Sequence, residues 1–171
     1  MASKLDIDSF IDWIILQSYT GNIDINGNMR YYYDSVSGLW QCGLVDLDLG
    51  MFSRQTYAAV TDCFSHDVIP NALLQNPDFR DRFLRRLSEL LSGPLADEAM
   101  IERIDSMAAQ LRGELPGEEA RWGFPVDHWE SMIRSLRNYC DGRAKKMIDD
   151  ACTLLRLSAQ EKEQYFGGIN P

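Results

Sequence analysis

Residues 19–52 read YTGNIDINGNMRYYYDSVSGLWQCGLVDLDLGMF, and the fold turns on how they divide. A polar loop (Asn22, Asp24, Asn26, Gly27, Asn28) precedes two β-rich runs, residues 29–33 and 39–45, joined at Ser35-Val36-Ser37-Gly38. Aromatic and β-branched residues bracketed by turn formers predict one antiparallel hairpin. The second run leads into Val45-Asp46-Leu47-Asp48-Leu49-Gly50, so carboxylates and carboxamides stand at both mouths of that hairpin. Two segments held side by side in this way can aim oxygens at a common point, and hard cations such as Mg²⁺ or Ca²⁺ take oxygen ligands. If the backbone stays extended, Asp46 and Asp48 point the same way.

Outward from the hairpin the sequence is helical. Before it, Asp6 or Asp8 can cap a helix carrying Phe10, Trp13, Ile14, Leu16 and Gln17, which Thr20-Gly21 ends. After Gly50 comes a loop to about residue 57, then helical material over 58–75 with a break or new start at Pro70. Asn76-Pro77 is a helix start, because Asn caps free amides and Pro suits the first turn. Its buried side should carry Phe79, Phe83, Leu84, Leu87, Leu90 and Leu91, and Ser92-Gly93-Pro94 stops it. Asp97 can cap a further helix with Met100, Ile101, Ile104, Met107, Ala108 and Leu111 facing inward. Residues 113–123 read as a loop with one short turn. A long helix follows over 126–157, interruptible at Asp141-Gly142, and Ser158 can cap a last turn. The fold class is mainly α with one antiparallel β-hairpin, and residues 1–171 form one domain.

Composition works by exclusion. At 171 residues, 45% hydrophobic and 25% charged, the chain suits a single globular domain. Net charge is −9, and the first fifty residues hold seven Asp against Lys4 and Arg30, contributing −5 of it. Such a field repels nucleic-acid phosphate and anionic lipid, so neither is an expected partner. No apolar run approaches the roughly 20 residues of a membrane span. Cys42, Cys63, Cys140 and Cys152 show no metal spacing, which predicts buried free thiols.

The order of these features resembles the CotH family, the spore coat protein H-type atypical protein kinases. The resemblance rests on the helix, Asn22-x-Asp24 with Gly27-Asn28, the aromatic strand Tyr31-Tyr32-Tyr33-Asp34, and the strand into Val45-Asp46-Leu47-Asp48-Leu49. Asn76-Pro77-Asp78-Phe79-Arg80, Arg121-Trp122, Trp129 and Arg143 are similar to the family's C-terminal part. Only that part is matched: no Gly-rich phosphate loop and no strand with a nucleotide-binding Lys precedes the first helix. The chain thus resembles a protein-kinase C-lobe without its N-terminal lobe, a fragment expected to be inactive alone. The resemblance implies ATP with Mg²⁺ or Mn²⁺ as cofactors and Ser or Thr of protein substrates as acceptors. Those substrates would be spore coat or extracytoplasmic proteins. It implies Asp24 as the catalytic carboxylate, Asn28 and Asp46 as nucleotide-metal ligands, and Asp48 as a second metal candidate. Two departures stand out. Three residues separate Asp24 from Asn28 where the common kinase loop has four, and Val45 precedes Asp46 where the family often has Trp.

Other readings of the same residues remain. Residues 22–29 fit the first eight positions of a calcium loop, but position twelve falls on Tyr33 and a strand follows. This gives the alternative of a non-catalytic Ca²⁺-binding or protein-interaction domain. The loop also suits a plain Asx turn, and Asp46 and Asp48 suit capping of local amides. The Arg80, Arg82, Arg85, Arg86 run could dock acidic substrate or the adjacent acidic loops but reads first as a solvated face. The Tyr31–Tyr33 alternation reads as core and lobe-interface packing, His66 and His128 as surface or interhelical residues, and Trp122 and Trp129 as hydrophobic anchors.

Overall fold

A computed structural model describes residues 4–25, 29–51 and 68–169. Asp6 starts the first helix, α1 (Ile7–Thr20), its carboxylate accepting from the Asp8 and Ser9 amides at 3.1 Å. Gly21 ends it at φ +60°, the left-handed conformation that glycine adopts without steric penalty. Phe10, Ile11, Ile14, Ile15 and Tyr19 are at most 1% exposed. With Ile7, Trp13, Gln17, Ser18 and Thr20 also buried, α1 is covered over most of its circumference, as a central helix must be.

The hairpin pairs β1 (Arg30–Asp34) with β2 (Leu39–Gly43), from Arg30 opposite Gly43 to Asp34 opposite Leu39. Asp34 closes the turn by accepting from the Val36 and Ser37 amides, and Gly38 supplies φ +71°. Two strands alone are marginal in water. Here the chain ahead of α1 adds a third rung, with Trp40 N–H to Lys4 C=O and Asp6 N–H to Trp40 C=O, both 2.8 Å. Cys42 N–H donates to Ser9 Oγ at 3.0 Å, which pins β2 to the first turn of α1. Of the core and lobe-interface packing expected for the tyrosines, the described residues show ribbon contacts: Tyr33 packs on Trp40 with ring centroids 5.6 Å apart, and the Tyr32 hydroxyl reaches Gln41. Tyr31, Tyr32 and Tyr33 remain 42–55% exposed.

Helices supply the rest. α2 (Val68–Leu74) runs through Pro70 without a break, since Pro in a first turn forfeits no intrahelical bond. Residues 58–67 lie outside the described residues. α3 (Pro77–Leu91), capped by Asn76, buries Phe79, Phe83, Leu84, Leu87 and Leu91 against α1. α4 (Asp97–Leu111), α5 (Leu115–Trp122) and α6 (Val126–Cys140) form a second layer. The long last helix is divided at Asp141-Gly142. α7 (Arg143–Leu155) returns to α1 with Ala144, Met147, Ile148, Ala151 and Leu155. α8 (Ala159–Phe166) is a full two turns fixed by a Ser158–Glu161 capping box, and it packs on α3. The described residues are therefore mainly helical with one antiparallel hairpin, as the sequence predicts.

Several expectations need correction. Asp97 does not cap its own helix, whose N-cap Ala96 makes no side-chain bond. Its carboxylate instead accepts from Gly142 N–H at 2.6 Å and Ala144 N–H at 3.0 Å, capping α7. On α4 only Ala108 is buried, while Met107 and Leu111 are more than half exposed. Residues 115–122 are helical, since Pro116 suits a first turn. Trp122 is 67% exposed, whereas Trp129 is half-buried under Arg112. The arginines of α3 are not merely solvated. Arg82 pairs with Asp8, and Arg86 forks onto Asp12 at 2.7 and 3.1 Å. Cys140 is a buried free thiol and Cys42 and Cys152 are half-buried ones; Cys63 and His66 lie outside the described residues.

Leu87 is fully buried between α3 and the core. Leu87→Ala is expected to lower stability by about 2–5 kcal/mol, read as a lower urea midpoint at unchanged slope. Arg82→Ala, at an exposed ion pair, should cost under about 1 kcal/mol.

Candidate functional site

The site grows from the end of α1. Asn22, buried at 7% exposure, turns its carboxamide inward. Nδ2 donates to Gln17 Oε1 at 2.9 Å and to the Asp46 carbonyl at 3.3 Å. Oδ1 accepts from Asp24 N–H at 3.1 Å, an Asx turn. One side chain thus ties the helix end, the Asp24 loop and the segment leaving β2. A second tie lies beyond it: Met51 N–H donates to Thr20 C=O at 2.7 Å. Gly50 suits this close crossing, where a Cβ would stand 3.0 Å from Thr20 Cβ and 3.1 Å from the Leu47 carbonyl.

Asp46 and Asp48 are not on an extended backbone. Asp46 has φ +55°, and the chain turns back through Leu47–Gly50. The two carboxyls meet because of the turn, not because of strand alternation. A hydrogen bond with Asp48 and the charge of Asp48 hold the Asp46 carboxyl above the usual carboxylate range. Burial and the nearby Asp24 charge push the same way, and Arg30 opposes them. Asp24, Asp46 and Asp48 are all exposed at the open end of the hairpin. Asn28 lies outside the described residues. Among those described, no three His, Cys, Asp or Glu side chains converge closely enough to hold a metal. The carboxylates form an open, mutually repelling mouth whose oxygen-only donors suit a hard divalent cation in type.

A family model described as CotH kinase protein matches residues 1–147. The chain belongs to the CotH kinase protein family. Comparison with curated proteins gives no match, and comparison with solved structures gives none. In this CotH-family chain the matched span runs from the rung beside β2 through the first turn of α7, so it includes every group that shapes the mouth.

Local spacing leaves the roles of two residues unread, although Arg143 is among those that carry the family resemblance. Gln17 is 1% exposed and serves as the buried acceptor for Asn22, though its spacing marks only a helix face. Arg143 is 5% exposed and reaches the carbonyls that end α1. Its signal was present: residue 143 shares a helical face with the apolar Met147 and Ala151, an odd place for a charge.

A carboxyl whose folded pKa lies above its unfolded value favours the protonated folded state. Its stabilising contribution is full below the unfolded pKa and is lost as pH rises through the folded one. Asp46→Asn keeps a residue type that tolerates positive φ. In cation-free buffer the variant should therefore melt above wild type at pH 7, with the gap shrinking as pH falls toward about 4. Melting curves across pH 4–7 check both the sign and the window.

Proposed function

We propose that this chain is the C-lobe-like part of an ATP-dependent protein kinase that uses Mg²⁺ or Mn²⁺ and phosphorylates Ser or Thr of spore coat or extracytoplasmic proteins. The observation that supports the reading is the Asn22 carboxamide, which ties the Asp24 amide to the Asp46 carbonyl at the open end of the hairpin in a chain of the CotH family. Phosphoryl transfer asks little covalent chemistry of a protein and a great deal of positioning and charge neutralisation. Asp24 is then the carboxylate that orients the acceptor hydroxyl and accepts its proton. Asp46, with Asp48 and Asn28, would hold the divalent cation, which neutralises phosphate charge when bound. Asn22 fixes the separation of the two groups, since its carboxamide binds the backbone at both Asp24 and Asp46. Arg30 lies close enough to moderate the negative charge.

The calcium-loop alternative draws less support. Asn22 would be its first ligand, but the side chain is buried and already bonded to Gln17, Asp46 and Asp24. Tyr33, its twelfth position, is on β1.

The sequence carries no Gly-rich phosphate loop ahead of α1, so on this reading a further lobe completes the nucleotide cleft. The 171-residue chain alone should show little or no ATP-dependent phosphorylation of a protein substrate, because aligned reactants are worth about 7–11 kcal/mol. Robust activity of the isolated chain would sink the fragment reading. In a complete kinase domain, Asp46→Asn should weaken Mg²⁺-nucleotide affinity at least about tenfold, or about 1.4 kcal/mol. Asp24→Asn should remove turnover while leaving nucleotide binding largely intact. Loss of Ca²⁺ binding in Asp24→Asn, with Asp46→Asn silent, would favour the calcium loop instead.

A further inference from the structure

Arg143 stands on the first turn of α7, yet it bonds to α1. Its Nε donates to the Tyr19 carbonyl at 2.7 Å and its Nη2 to the Ser18 carbonyl. Tyr139, from the last turn of α6, donates its hydroxyl to the same Tyr19 carbonyl at 2.7 Å. The guanidinium is stacked 4.7 Å from the Tyr139 ring centroid and 6.0 Å from that of Tyr19. Both groups press on Gly21: a Cβ there would stand 2.9 Å from the Tyr139 hydroxyl and 3.6 Å from Arg143 Nη2. The base of this clamp is itself fixed, since Asp97 binds the Gly142 and Ala144 amides on either side of Arg143.

A buried charge is expensive unless its hydrogen bonds are complete. Here the partners are consecutive carbonyls at the negative end of a helix, which favour a cation. A planar fork bonded to two successive carbonyls also fixes direction, which a flexible ammonium does not. The carbonyls it holds lie three to six residues before Asn22 and Asp24.

We propose that Arg143 is a positioning residue: by gripping the Ser18 and Tyr19 carbonyls it sets the angle at which the Asn22–Asp24 loop leaves α1, and so where Asp24 stands relative to Asp46. The role in catalysis rests on the kinase reading above, whereas the grip on the loop is testable without it.

The test compares Arg143→Lys, which keeps charge and loses the fork, with Tyr139→Phe, which loses only one bond to the Tyr19 carbonyl. Amide hydrogen exchange is followed at Asn22 and Asp24, with amides of α3 and α8 as internal controls, and Mn²⁺ affinity is titrated in parallel. Arg143→Lys should speed exchange at Asn22 and Asp24 at least about tenfold with the controls unchanged, and weaken Mn²⁺ binding several-fold. Tyr139→Phe should do the same to a smaller degree, and it decides the matter if Arg143→Lys fails to fold. Uniform acceleration of all amides, an unchanged loop, or a loosened loop with unchanged Mn²⁺ affinity would each overturn the assignment. If wild type binds Mn²⁺ no better than Asp46→Asn does, the metal reading of the mouth fails, and the exchange data alone judge the clamp.

Discussion

The last carbonyl groups of a helix have no partners within it, and buried ones must find them elsewhere. In α1 they are met by several parts of the chain. Ser18 and Tyr19 receive Arg143 and Tyr139, Thr20 receives Met51, and Gln17 and Ser18 receive Gly21. The helical layer of α6 and α7, the segment after β2 and the Asp24 loop therefore converge on one helical turn. Leaving such a group unmet costs about 1–3 kcal/mol, so the convergence is enforced by backbone chemistry and not by the acidic side chains it brings together.

That distinction matters because the acidic side chains oppose their own assembly. Seven of the first fifty residues are Asp, and the structure treats them in two ways. Asp8 and Asp12, on α1, are matched by Arg82 and Arg86 of α3. Asp6 and Asp34 cap local amides. Asp24, Asp46 and Asp48 are gathered where Asp46 feels both of the others. At the mouth the backbones of Asp24 and Asp46 are tied through the Asn22 carboxamide, whose geometry is indifferent to the carboxylates' charge. On the proposed reading this is the arrangement a metal-nucleotide site requires: a negative mouth kept open by neutral struts.

Much of this was legible from residues alone, and what was not shares a cause. The hairpin, the Asp6 and Asn76 caps, the Gly21 stop and the buried stripe of α3 follow from local spacing, and each is observed. The failures are non-local. Asp97 has the local signature of an N-cap, but its oxygens are used by a helix 45 residues later. Met107 and Leu111 follow helical periodicity, yet both are exposed, while Ala108 on the same helix is buried and Met100, Ile101 and Ile104 are partly buried. The Asp46–Asp48 proximity was anticipated for the wrong reason, because alternation along a strand was assumed where the backbone turns left-handed. Asn28, the remaining candidate ligand, lies outside the described residues.

The backbone around the mouth fits the same logic. Asp46 and Met51 both have positive φ, at +55° and +61°, in a stretch of six residues. Asp visits this region at modest steric penalty, but a long side chain such as Met does so only when its surroundings over-determine it. Met51 is held there by its bond to Thr20, beside Gly50, where a Cβ would be crowded at 3.0–3.2 Å. The turn from Asp46 to Met51 is therefore shaped by contacts at α1. Its carboxylates are delivered to the mouth by a backbone fixed at Thr20 and Asn22, and their repulsion is eased by solvent, by protonation, by Arg30, or by a bound cation. Binding that cation is the function proposed for the mouth.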